Sequence, residues 1–333
     1  MYQKGIAIAG SLIADIGYTI DGYPEKGNLT RIYNPVSTTG GANNIAMDLA
    51  KLDKNLPLKV SGLVGEDEKG QFILDALSKY PNIDIQNVSR RGRTSLTYAM
   101  TEKIGKQRTF FYDPGNSEEY DIADIDFEHL DADFFLLEYL LVLGNLDKPD
   151  EEYGTRGARV LCEAKKRGMK TFIDMVSEES DRYEAIVRPA LKYVDYYIAN
   201  EVETSRVVGE KIYDKNGIVE ERMWKALEEI KSLGVSEWAI IHSPSCGYGL
   251  NCKTGERVKV PSLKLPEGYV KGTTGAGDAF GAGVMYAAYR GLSLTEALES
   301  GAGCAACSLS AEDSISGVVS FEEMREVCER YGK

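Results

Sequence analysis

Short apolar runs rich in β-branched residues alternate along the chain with longer segments whose apolar positions recur at helical spacing. Ile6–Ala9, Lys59–Leu63, Phe134–Leu137, Thr171–Asp174, Tyr196–Ala199 and Ala239–His242 are predicted to be strands. Ala42–Leu52, Lys69–Lys79, Thr155–Arg167, Glu220–Leu233, Asp278–Arg290 and Ser293–Leu309 carry the amphipathic period of helices. This alternation builds βαβ units, so the expected fold is α/β: a mostly parallel central sheet covered by helices on both faces. No repeat, low-complexity tract or Pro-rich linker breaks the pattern, and residues 1–333 are expected to form one continuous domain.

Two segments depart from the alternation. Residues 15–39 show little helical periodicity and several turn formers. Residues 94–113 read as two strands, Ser95–Glu102 and Gln107–Tyr112, joined at Ile104-Gly105-Lys106 as a hairpin. Together they predict a small β-sheet standing off the main one. A lid over an active site and a plain surface excursion both fit.

Composition narrows the function classes. The formal net charge is −13, with no Lys/Arg stripe to offset it, which argues against a nucleic-acid partner. The most apolar stretch, Phe134 to Leu143, is too short for a bilayer and contains Glu138, so no membrane association is expected. The N-terminus runs directly into the first strand without the features of a signal peptide, which points to a cytoplasmic protein. The six cysteines are scattered, and thiols are expected rather than bridges. Cys304-Ala-Ala-Cys307 has redox spacing but lies in a small-residue helical stretch, where packing thiols are expected.

The chemistry concentrates at Gly272-Thr273-Thr274-Gly275-Ala276-Gly277-Asp278, which opens straight into an apolar helix. Successive backbone N–H groups in such a turn point into one concavity, and the helix start adds positive potential. That arrangement suits the charge on a transferred phosphoryl group. Asp278, at the junction, is placed either to accept a proton from an attacking hydroxyl or merely to cap the helix. No G-x-x-x-x-G-K-[ST] and no G-x-G-x-x-G occurs, which excludes a P-loop NTPase and disfavours a dinucleotide-binding dehydrogenase.

Gly275-Ala276-Gly277-Asp278 resembles the C-terminal signature of the ribokinase family, the PfkB carbohydrate kinases. Gly40-Gly41-Ala42-Asn43-Asn44-Ile45-Ala46 resembles its N-terminal signature, Gly62 to Gly70 its V-G-x-D-x-x-G element, and Asn200-Glu201-Val202-Glu203 its N-x-x-E motif. The resemblance spans nearly the whole chain. It implies a ribokinase-like three-layer α/β/α fold with a small β-sheet lid. It also implies an ATP-dependent, Mg²⁺-requiring kinase that phosphorylates a hydroxymethyl group of a small sugar, and a homodimer formed through the lid. A nucleoside kinase of the same fold and a non-catalytic sugar or nucleotide sensor are the alternatives.

Residue by residue, the resemblance implies that Asp278 is the base and that the amides of Gly275, Ala276 and Gly277 form an anion hole. Asn200 and Glu203 would act near the phosphates, Glu203 through metal-bound water. Otherwise Glu203 is a solvated helix-start carboxylate. Gly247 would close the ATP-side loop, although Pro244-Ser245-Cys246 before it depart from the usual pattern. Asp15, Gly40, Gly41, Asn44 and Glu138 would contact the sugar. The ordinary alternatives are a turn Asp at 15 and, for Glu138, an ion pair with a nearby Arg or Lys. Tyr33, Tyr98, Phe110 and Tyr112 would pack in the lid, and Arg31, Lys106 and Arg108 are candidates to meet an anionic group. Gly272 stands where the family usually has an Asp that helps hold K⁺, so weak K⁺ activation is expected.

Overall fold

The computed structural model describes residues 3–104, 107–215 and 217–332. Its main sheet contains β1 (Ile6–Gly10), β4 (Leu58–Val64), β5 (Ile83–Arg90), β8 (Phe134–Leu140), β11 (Lys170–Met175), β12 (Tyr196–Asn200), β15 (Trp238–His242), β16 (Cys246–Asn251) and β17 (Arg257–Pro261). Their order is β17-β16-β15-β12-β11-β8-β1-β4-β5. The seven strands from β15 to β5 run parallel, and β16 and β17 close one edge as an antiparallel hairpin. A second, four-stranded sheet has the order β3-β2-β6-β7 and comprises β2 (Leu12–Ile20), β3 (Ile32–Gly41), β6 (Ser95–Glu102) and β7 (Arg108–Asp113). Two short ladders, β9 (Pro149–Asp150) with β10 (Gly154–Thr155) and β13 (Tyr213–Asp214) with β14 (Gly217–Ile218), complete the described strands.

The helices are α1 (Ala42–Leu52), α2 (Glu68–Leu77), α3 (Arg156–Lys166), α4 (Tyr183–Leu191), α5 (Glu201–Val208), α6 (Glu220–Ser232), α7 (Ala276–Tyr289), α8 (Leu294–Ser308) and α9 (Phe321–Tyr331). Successive strand residues face opposite sides of the sheet. Ala7, Phe135, Leu137, Tyr197 and Ile241 therefore pack with α3 to α6. Ile6, Ile8, Phe134, Leu136 and Ile240 pack with α1, α2 and α7 to α9. Both faces are buried, which is why these strands read as continuous apolar runs rather than as alternation. The result is the expected three layers with a mostly parallel sheet.

The two irregular segments do meet. β2 runs parallel to β6 from Ile13 opposite Ser95 to Ile20 opposite Glu102. The hairpin turn residues Gly105 and Lys106 lie outside the described residues. All six cysteines are free thiols. No described helix is long and apolar enough to cross a membrane.

Candidate active site

A cleft of about 720 Å³ opens at the C-terminal ends of the parallel strands, beneath the small sheet. Ligands of open parallel sheets bind at that end. The glycine-rich loop forms one wall. Gly275 has φ 77°, and a Cβ there would lie 2.4 Å from the Ser314 carbonyl oxygen, so only glycine fits. Gly275 also precedes α7 without a side-chain cap, which leaves the first amides of the helix to a ligand. Ala276 opens the helix, and Gly275, Gly277 and Asp278 line the cleft.

Asp278 does not cap the helix. Its Oδ2 accepts from Asn44 Nδ2 at 2.8 Å and its Oδ1 accepts from the Tyr139 hydroxyl at 3.1 Å. Burial pushes its carboxyl above the ordinary range, and these two bonds oppose that shift. One oxygen each from Glu138, Asp174 and Asp278 lie within 4.8 Å of one another. Glu138 is fully buried and both of its oxygens lack a hydrogen-bond partner. The expected alternative, an ion pair with Arg or Lys, is therefore incorrect: no described cation reaches it. Nor does Glu138 line the cleft. It lies behind the wall made by Asp174 and Asp278. Burial and then the neighbouring carboxylates push its proton affinity up, and Asp174 and Asp48 behave likewise. Asp48, on α1, is buried with both oxygens unpartnered.

Asp15 sits within strand β2 rather than in a turn, and burial pushes its carboxyl up to about 7. A Cβ on Gly40 would come within 2.6 Å of Asp15 Oδ2, so the glycine makes room for that carboxylate. Gly41 has φ 66° and ends β3 directly before α1, which carries Asn44. Asp15, Gly40, Gly41 and Asn44 all line the cleft.

The Asn200-x-x-Glu203 motif forms a capping box on α5. Asn200 Oδ1 accepts from the Val202 and Glu203 amides, and Glu203 Oε2 accepts from the Asn200 amide. Glu203 is buried rather than solvated. Its other oxygen accepts from Ser177 Oγ at 2.7 Å, and burial pushes its carboxyl up to about 7. Both motif residues line the cleft. Gly247 does not. It pairs with His242 inside the β15–β16 hairpin and faces Leu298 and Phe280, so the structure does not bring it to the cleft. His242 does line it, stacked on Phe280 at 4.7 Å, and burial pushes the imidazole down to about 4, where it is neutral.

From the small sheet, Arg108 donates to Thr274 Oγ1 in the glycine-rich loop and is the lone Arg or Lys among the described residues lining the cleft. Arg31 instead lies over the Tyr33 ring, away from the cleft, and Lys106 is outside the described residues. Phe110 and Tyr112 line the cleft, whereas Tyr33 bonds Asp21 and Tyr98 stacks on Tyr18. Gly272 has its own local reason, since a Cβ there would lie 2.7 Å from the Glu312 carbonyl oxygen. Tyr139, Asp174, Ser177 and His242 are cleft residues that sequence reasoning did not select. Asp174 shared a signal with Glu138, a carboxylate ending an apolar strand. Nothing in the sequence marked Tyr139.

A family model described as pfkB family carbohydrate kinase matches residues 3–320. The chain is 25% identical over 317 residues to a ribokinase of Arabidopsis thaliana, covering 93% of this chain and 77% of that protein. Among solved structures, the Arabidopsis thaliana ribokinase complexed with ribose and ATP superposes with a TM-score of 0.78 at 21% identity, covering 97% of this chain and 98% of that one. Thermotoga maritima ribokinase gives 0.76 at 21%, with 98% and 100% covered. The nucleoside kinase of Methanocaldococcus jannaschii gives 0.73 at 17%, with 99% of each covered.

Proposed function

The chain belongs to the pfkB family of carbohydrate kinases, and from that premise we propose that it transfers the γ-phosphoryl group of ATP to a hydroxymethyl group of a small sugar, with Asp278 as the base. Membership makes it a phosphotransferase with an alcohol acceptor. The observation that carries the finer reading is the Asp278 carboxylate, bonded only to side chains and set at the first turn of a helix whose opening amides are uncapped.

In this reading Asp278 accepts the proton of the acceptor hydroxyl as that oxygen bonds to the γ-phosphorus. The bond from phosphorus to the bridging oxygen breaks and ADP leaves. The amides of Gly275, Ala276 and Gly277 meet the charge on the transferred group. Asp15, Asn44 and the backbone at Gly40 and Gly41 orient the sugar, and Glu138, buried behind Asp174 and Asp278, acts on it through those two carboxylates. Asn200 and Glu203 stand on the phosphate side. The hard oxygen donors of Glu203 and Ser177 suit Mg²⁺ held through water, and the ion supplies charge neutralisation of the phosphates. The small sheet acts as lid. Ile32, Val36, Phe110 and Phe111, exposed on its two edge strands, support a homodimer contact there. Sedimentation at the mass of one chain would contradict the dimer.

An ATP-consumption assay across neutral sugars, sugar acids, sugar phosphates and nucleosides tests the reading. Turnover with a neutral sugar supports it. Turnover confined to nucleosides would assign the site to a nucleoside kinase, and ATP binding without turnover to a sensor.

A further inference from the structure

Strand β8 is irregular where it reaches the cleft. Leu137 pairs with Ile173 and Leu140 with Met175, so Glu138 and Tyr139 together oppose the single residue Asp174. This is a β-bulge, a device that re-aims a side chain and recurs beside active sites. Tyr139 takes φ 63° and Leu141 φ 87°. A bulky residue in the left-handed region is unfavourable by ~1–3 kcal/mol and persists where its surroundings enforce it. The outcome is specific: the ring lines the cleft and its hydroxyl lies 3.1 Å from Asp278 Oδ1, while Asn44 takes Oδ2. Each carboxylate oxygen accepts two bonds, so both retain a free acceptor position for the substrate.

The need for such a contact is visible in what faces Asp278. Asp15 comes from β2, Asp48 from α1, Glu138 from β8 and Asp174 from β11. His242, beside Gly277, is neutral, and Arg108 is engaged with Thr274. Burial favours the protonated, inactive form of the base, and any neighbouring carboxylate that ionises adds to it. Hydrogen bonds to the anion oppose that.

We propose that Tyr139 is a positioning residue of the phosphoryl transfer: the bulge delivers its hydroxyl to Asp278 Oδ1, where with Asn44 it clamps the carboxylate in one orientation and keeps it ionised. This rests on Asp278 being the base. The test is the pH profile of kcat/KM for Tyr139→Phe, which keeps the ring and removes the bond, with Asp278→Asn in parallel. The acid limb moves to higher pH by about one unit, activity falls up to ~10-fold at pH values below the limb, and it returns at alkaline pH. The KM for ATP stays unchanged. A Tyr139→Phe profile superimposable on the wild type, or lowered equally at every pH, overturns the proposal even if Asp278→Asn is inactive. Turnover retained in Asp278→Asn overturns the base assignment itself. Should the Phe variant fail to fold, 3,5-difluorotyrosine incorporated at position 139 provides a stronger donor in an intact ring. It shifts the acid limb to lower pH, and an unshifted limb again refutes the clamp.

Discussion

Glu138→Gln is expected to stabilise the ligand-free protein while impairing sugar use. Glu138 is fully buried, unpartnered, and within 4.8 Å of oxygens of Asp174 and Asp278. Two charges at that separation repel by roughly 3.5 kcal/mol at an effective dielectric constant of about 20. The group relieves this repulsion by holding a proton, so its folded-state affinity lies above the ordinary carboxylate value. The sign follows from linkage. Below the unfolded-state pKa the group is protonated in both states and contributes nothing. As pH rises above that value, the unfolded state releases the proton and the folded state keeps it, so stability falls. Glutamine removes the titration, and its amide can donate to Asp174 or Asp278. The expected gain is about 1–3 kcal/mol at pH 8, read as a thermal midpoint raised by roughly 1–4 °C, and close to zero at pH 4. Thermal unfolding at the two pH values is the assay, with sugar KM measured alongside. A variant less stable at pH 8, or one with the same shift at both pH values, would show that Glu138 has a partner or stays ionised at no penalty.

Arg108→Ala should lower kcat by ~10²-fold with little change in sugar KM, since the residue reaches the loop that meets the phosphoryl group rather than the sugar side of the cleft. Equal kcat in the variant would make the contact with Thr274 a lid-packing bond only. Exchange of K⁺ for a large organic cation at fixed ionic strength should leave kcat/KM nearly unchanged. Gly272 carries no carboxylate, and Lys51 already donates from its ammonium to the Ile315 carbonyl, next to the Ser314 carbonyl that packs on Gly275. A strong, saturable K⁺ dependence would show that carbonyl ligands suffice.

The layers were legible because both-face burial leaves an unbroken apolar run, as in Phe134 to Leu137, and because α1, α3, α6, α7 and α8 keep their helical period. Of the elements that escaped, α9 does carry a helical period, and the others lack those signals. β5 and β17 lie at the sheet edges and carry polar residues, β16 contains two glycines, α5 is a single capped segment of eight residues, and α4 contains Pro189. In the site, motif residues were legible in proportion to how local their geometry is. Gly275 to Asp278 is one turn, and Asn200 with Glu203 is one capping box. Tyr139 depends on a register shift between β8 and β11, a property of two strands more than thirty positions apart, which no local pattern encodes. Gly247 shows the converse: a glycine at the right sequence distance sits in the β15–β16 hairpin and faces Leu298 of α8 rather than this cleft.

The central claim, that Asp278 accepts the proton of the acceptor hydroxyl, is tested most directly by Asp278→Asn with the best acceptor from the sugar panel. The variant nearly preserves side-chain size and keeps one acceptor oxygen for Asn44, while its amide nitrogen can donate to the Tyr139 hydroxyl oxygen. Steady-state ADP release should fall ~10²–10⁴-fold, while ATP affinity by calorimetry and the thermal midpoint stay close to wild type. A folded variant with kcat within a few-fold of wild type would contradict the account and move the base to another carboxylate of the cleft.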